Sequence, residues 1–182
     1  MPVFVVHDVH PLNNISPFQG FFLVLLNAGK RPPHIALLIN SNVYSLTHKG
    51  TQIGEPLEVL MKSINIKTIK TLFFKLTLPT GFDEKGLKIE MEKTLLNYNK
   101  AEVGRVTCLG PVKDFFGSVY NLPVHHAKFV FELLPLLQSE KVIDNVFHLN
   151  MEKEIKEGKY FFQKYTMDEI NSNLNKLNKI IS

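Results

Sequence analysis

The sequence predicts an α+β domain, strand-rich in its amino half and helix-rich in its carboxyl half. Three observations carry that prediction. Short runs rich in β-branched and aromatic residues, bounded by Pro, Gly, Asn and Ser, recur between residues 2 and 78. Apolar residues at helical spacing take over from about residue 83. Finally, 182 residues with 45% apolar and 21% charged side chains, 14 of them Phe, supply material for one core and exclude wholesale disorder.

The elements follow in order. Residues 2–6 read as a buried strand, and the run from Pro11 to Pro17 is turn chemistry. Phe18 to Leu26 is a second buried strand, ended by Asn27-Ala28-Gly29-Lys30-Arg31-Pro32-Pro33. Strands at 34–39 and 42–46 flank Asn40-Ser41, residues that tolerate a tight hairpin turn. Gly50 and Gly54 mark a loop, and Pro56 sits in the first turn of a short helix reaching Met61. Lys70 to Leu78 is a strand stopped by Pro79-Thr80-Gly81. Asp83 caps a helix that carries Leu87, Met91, Leu95 and Leu96 to about Asn97. A second helix begins near Cys108 or Pro111 and ends before Gly117 or Ser118, and a third follows Pro123. The lysines and glutamates from Glu152 to Lys164 look like a solvated helix face. Thr166-Met167-Asp168-Glu169 is a capping box opening a helix with Ile170, Leu174, Leu177 and Ile181 on one side. This divides the chain into a main α+β domain over residues 1–150 and a carboxyl-terminal helical extension over 151–182.

Composition excludes several classes. One Cys cannot build a disulfide framework or a multi-cysteine zinc site. No apolar run approaches the roughly 18 residues of a membrane span, so no transmembrane segment is expected. The net charge of +4 is mild and its lysines are dispersed, so no dedicated nucleic-acid site is expected. His7 and His10 would point to opposite faces of a strand, and His125 with His126 opens a helical turn, so no metal site and no cofactor are expected. The first residues lack a basic stretch ahead of an apolar run, which makes a reducing, cytoplasmic setting the expectation.

Two residues suggest chemistry. Cys108 stands alone at a helix start, where unpartnered N–H groups and the positive end of the helix dipole favour the thiolate nucleophile. A lone Cys is also a small hydrophobe that is often buried and inert. His34 follows Arg31-Pro32-Pro33 at the mouth of a strand, a stiff position from which a general base can act. A Cys–His pair needs a third group to orient the imidazole. Ser45, on the adjoining strand, is the first choice, with His48 and Thr47 as alternatives.

The stretch from Pro33 to Gly50 resembles the histidine box of circularly permuted papain-like proteins, the NlpC-type and lecithin:retinol acyltransferase-like group. In that group a His opens one strand, a turn follows, and a second strand carries a polar residue. The Cys comes later, at the start of a helix beyond a further strand and helix. Here Lys70–Leu78, the helix from Asp83 and Cys108 come in that order. Thr107 stands where the group usually has Asn, and Ser45 where it more often has His, Glu or Gln.

The resemblance implies a small antiparallel sheet or barrel packed against helices. It also implies a thiol hydrolase or acyltransferase working through an acyl-enzyme, with Cys108 as nucleophile, His34 as base and the Cys108 N–H at the oxyanion. The group includes thiol proteases, cell-wall amidases and lipid acyltransferases, so the expected substrate is a peptide, a peptidoglycan fragment or a lipid ester. The contrasting expectation is a decayed papain-like fold that serves as a binding or structural module.

Overall fold

Phe21–Leu26 is an unbroken run of six apolar residues, and such a run is stable only where both faces of its strand are covered. In a computed structural model that describes residues 4–12 and 19–180, this strand is the middle one of a seven-stranded sheet. In chain order the strands are β1 (Phe4–Val6), β2 (Val9–Pro11), β3 (Phe21–Leu26), β4 (His34–Ile39), β5 (Asn42–Thr47), β6 (Gly50–Pro56), β7 (Thr71–Leu76), β8 (Ile143–Leu149) and β9 (Tyr160–Phe162). The helices are α1 (Leu57–Lys67), α2 (Glu84–Leu95), α3 (Leu109–Tyr120), α4 (Val130–Ser139) and α5 (Met167–Lys179), with a 3₁₀ turn at Val124–His126.

The sheet order is β2-β8-β7-β3-β4-β5-β6, antiparallel except where β2 lies parallel to β8, while β1 and β9 form a separate antiparallel pair. Period-two alternation divides β3 between two cores. Phe21, Leu23 and Leu25 pack with Leu87 and Met91 of α2 and with Val112, Phe115 and Phe116 of α3. Phe22 and Val24 pack on the other side with Leu57 and Ile64 of α1. The expected α+β class, a sheet packed against helices, is therefore what the chain forms.

Local chemistry explains most boundaries. The β4–β5 hairpin closes on Asn40 and Ser41 at φ of 45° and 62°, the two positive values that a type I′ turn requires. The Asp83 carboxylate accepts the Gly86 N–H at 2.7 Å and caps α2. The Thr166 capping box forms as read, with Thr166 N–H on Glu169 Oε2 at 2.7 Å and Glu169 N–H on Thr166 Oγ1 at 3.3 Å.

Several elements differ from the sequence reading. The segment with Gly50 and Gly54 is the edge strand β6 rather than a loop, because pairing with β5 outweighs the weak strand preference of glycine. Helix α1 continues to Lys67, and α3 runs past Gly117 to Tyr120 because Phe115, Phe116 and Val119 are all buried. Strand β8 is an element that the sequence reading lacked. The charged stretch after Glu152 is not a helix face. It is turns leading into β9, with Asn150, Glu157 and Gly158 at φ of 60°, 51° and 69°. Pro2 and Val3 of the first predicted strand, most of the Pro11–Pro17 turn, Phe18 and Ile181 lie outside the described residues.

No break in the core marks residue 150. Met151, Tyr160, Phe162, Tyr165, Ile170 and Leu174 belong to the same buried cluster as α2, α3 and α4. The Tyr160 hydroxyl donates to the Ala28 carbonyl, and Asn171 Oδ1 accepts the Gly104 N–H at 2.9 Å. The carboxyl-terminal segment thus docks firmly on the domain and contributes a strand as well as a helix. Among the described residues no helix is long and apolar enough to cross a membrane.

Candidate active site

Cys108 immediately precedes α3 and has helical backbone angles, φ −58° and ψ −18°. The residue before it does the capping: Thr107 Oγ1 accepts the Leu109 N–H at 3.3 Å, and the Thr107 carbonyl accepts the Gly110 N–H at 3.0 Å. The loop leading in is held to the sheet by the Ala101 N–H on the Thr47 carbonyl at 2.8 Å. Backbone N–H groups of Ile35, of Cys108 itself and of Leu109 point at the sulfur and favour its negative form. Burial nevertheless outweighs them, and the thiol is pushed up from its ordinary value. The helix-start effect expected from the sequence is present, but desolvation exceeds it.

His34 opens β4 opposite Leu26, the last residue of β3. It is half-buried, and its imidazole is held down to about 4, first by burial and then by the neighbouring His48. At neutral pH it is an uncharged ring, able to accept a proton. The β4–β5 ladder runs only from Ile39↔Asn42 to Leu37↔Tyr44, so it does not reach His34 or Thr47. That opening at the end of the ladder is where the cleft begins.

Of the three residues expected to orient His34, two are engaged elsewhere. The Ser45 hydroxyl, in a buried residue, donates to Gln52 Oε1 on β6, and Ser45 does not line the cleft. Thr47 lines the cleft, but its hydroxyl donates to the Gly50 carbonyl at 2.9 Å and accepts the Lys49 N–H at 3.2 Å. His48 lines the cleft and is the one whose charge reaches His34.

Cys108, His34, Thr47, His48 and Thr107 meet in one cleft of about 400 Å³. Its walls are the loop between β3 and β4 and the inward side of α5, which contributes Ile170, Asn173, Leu174 and Leu177. Compared with family models, with curated proteins and with solved structures, the chain matches none. The chemistry of the cleft must therefore be read from its own residues.

A neutral thiol and a neutral imidazole share a half-open, largely apolar cleft at the start of a helix. The imidazole can take the thiol proton as the sulfur attacks, so no preformed ion pair is needed. The sequence reading missed Tyr165, a buried ring whose hydroxyl accepts the Val130 N–H at 3.1 Å and lies within electrostatic reach of the Cys108 sulfur. It also missed the wall formed by α5, although the apolar stripe on that helix was visible. Among the described residues no group of three or more His, Cys, Asp or Glu is placed to hold a metal ion. His7, His10, His125 and His126 are all exposed.

Proposed function

We propose that the cleft carries out thiol-dependent acyl transfer, as a hydrolase or acyltransferase of permuted papain-like design. The observation that carries this reading is the convergence of Cys108 and His34, from elements 74 positions apart (108 − 34), in one cleft that also holds the start of α3. In the reaction, Cys108 Sγ forms a bond to the carbonyl carbon of an ester or amide while His34 takes the thiol proton. The tetrahedral oxyanion is held by the Cys108 N–H. Its collapse breaks the bond to the leaving group, which departs with the proton from His34. Water or a second nucleophile, deprotonated by His34, then attacks the thioester and regenerates the thiol.

Of the three residues weighed as orienting groups for His34, His48 is the one that shares the cleft with it and adds, after burial, to its lowered proton affinity. The substrate classes consistent with the reading are a peptide, a peptidoglycan fragment or a lipid ester, and a chemistry that needs its one Cys as a free thiol suits a cytoplasmic setting. The test is turnover of p-nitrophenyl acyl esters, with intact mass reading an acyl adduct on Cys108. Release of p-nitrophenolate is expected to be abolished in Cys108→Ala and to fall by roughly 10²–10⁴ in His34→Ala. Rates unchanged in both variants would overturn the proposal.

Two observations favour a second reading, a papain-like module whose site has decayed. Burial raises the Cys108 thiol, and the charged group felt by His34 is another imidazole rather than a carboxylate. That reading predicts no adduct with any ester, while the fold and the cleft remain intact.

A further inference from the structure

Two features of the cleft walls are unused by the chemistry above. The first is charge. Lys30 and Arg31, on the loop between β3 and β4, both line the cleft, and no Asp or Glu does. Both are exposed, and neither is among the ion pairs found between described residues. At the start of α5, Asp168 and Glu169 share a shallow neighbouring groove with Arg31 and Lys176. Glu169 is occupied by its capping box, and Asp168 makes no ion pair with Arg31.

The second feature is an apolar wall. Ile170, Leu174 and Leu177 follow one another at helical spacing along the cleft, and Leu26 and Leu46 face the same space. Leu177 is only half-buried, so an apolar ligand group would cover it further. A volume of about 400 Å³ lies in the small-molecule range.

We infer that the cleft selects anionic acyl compounds, with Lys30 and Arg31 receiving the negative group and the α5 wall receiving the hydrocarbon. This rests on reading the cleft as a site of acyl chemistry and names the substrate class for it. The negative group is a carboxylate or a phosphate, both of which suit an Arg fork and a Lys ammonium. The α5 residues are specificity determinants rather than catalytic residues, since they meet the part of the substrate remote from the scissile bond.

Binding tests this without any need for turnover. The full chain carrying Cys108→Ser is titrated with octanoate, with octyl phosphate and with octylammonium as the charge-reversed control, and thermal unfolding is followed. At least one of the two anions is expected to raise the melting temperature, and the better of them names the group; octylammonium is expected to leave it unchanged. The double variant Lys30→Ala/Arg31→Ala is expected to lose affinity by about tenfold or more. Leu177→Asn is expected to weaken the anion severalfold while keeping the preference over the cation. Equal binding of the ammonium, binding that survives the double variant, or no binding by any of the three would overturn the inference. Anion binding by a chain that never turns over an ester would leave the inference standing and remove the catalytic proposal instead.

Discussion

The Ile35 backbone N–H points at the sulfur of Cys108, so the residue next to His34 on β4 and the residue opening α3 are joined by one contact. This places the start of β4 beside the start of α3 in the cleft that His34 and Cys108 both line. The contact favours thiolate, yet burial wins and the resting thiol is neutral. Alkylation by iodoacetamide at pH 7, read by intact mass, should accordingly be slower for the native chain than for the same chain in urea. It should still be rising with pH above the range where free cysteine levels off. A native rate that already plateaus below pH 8 would show that the N–H groups dominate instead.

The first turn of α3 is closely packed against Tyr98. A Cβ at Gly110 would lie 3.1 Å from Tyr98 Cε1 and 3.3 Å from its hydroxyl oxygen, and that hydroxyl is tied to Asp114 Oδ2 at 2.6 Å. Gly110→Ala gains up to about 1 kcal/mol of helix propensity but must displace a ring that is held in place. It should therefore fail to stabilise the wild-type chain, whereas in a Tyr98→Ala background it should stabilise by about 0.5–1 kcal/mol. A urea-melt double-mutant cycle measures this, and equal effects in both backgrounds would show that the ring moves aside freely.

Much of this geometry was legible in the sequence because it is set locally. Asn40-Ser41 is a hairpin turn on its own chemistry, Asp83 and Thr166 are helix caps on theirs, and Cys108 sits at a helix start because Gly110 and Pro111 suit a first helical turn. What was not legible depends on partners distant in the chain or on pairing. Ser45 reads as free to orient His34 when Gly50 to Gly54 is taken for a loop; once β6 pairs, Gln52 stands opposite Ser45 and takes its hydroxyl. The stripe of Ile170, Leu174 and Leu177 gives no sign, within its own helix, of the cleft that it covers. Between the two sequence readings of Cys108, helix-start thiolate and buried thiol, local chemistry does not decide, since a helix start is visible locally and desolvation is not.

The carboxyl-terminal segment can be tested as a part of the core. If Met151, Tyr160, Phe162, Tyr165, Ile170 and Leu174 fill the same interior as α3 and α4, a chain ending at residue 150 leaves that interior open. Such a truncation should lose its cooperative thermal transition and aggregate. Thr166→Ala, which removes only the cap of α5, should cost about 1 kcal/mol and leave the transition cooperative. A truncated chain that melts cooperatively near the wild-type temperature would restore residues 151–182 as a separable extension.

Stability should fall with acid in a window set by His34. The unfolded chain binds a proton on this residue near 6.5, while the folded chain refuses it until about 4. Between those values the unfolded state holds more protons, so stability declines as pH drops, by up to about 3 kcal/mol. His148 adds in the same direction: it is buried, its Nδ1 has no partner among the described residues, and burial lowers its proton affinity against an opposing pull from Glu152. Urea melts at pH 7.0 and 4.5 should show a smaller loss in His34→Gln than in wild type. Parallel losses would place the acid sensitivity elsewhere.

His48 separates the electrostatic from the solvation control of His34. Its positive form disfavours a second positive charge nearby, so His48→Ala removes one of the two influences holding His34 down. The His34 titration, followed by the ring-proton resonance in NMR, should move upward from about 4 but stop short of 6.5, because burial is the larger cause and is untouched. Ser45→Ala should lower stability through the lost bond to Gln52 and leave that titration where it was. If the acid limb of ester turnover follows the same shift in His48→Ala, the ring that titrates is the base that acts. If Ser45→Ala moves His34 and His48→Ala does not, the orienting group is the serine after all.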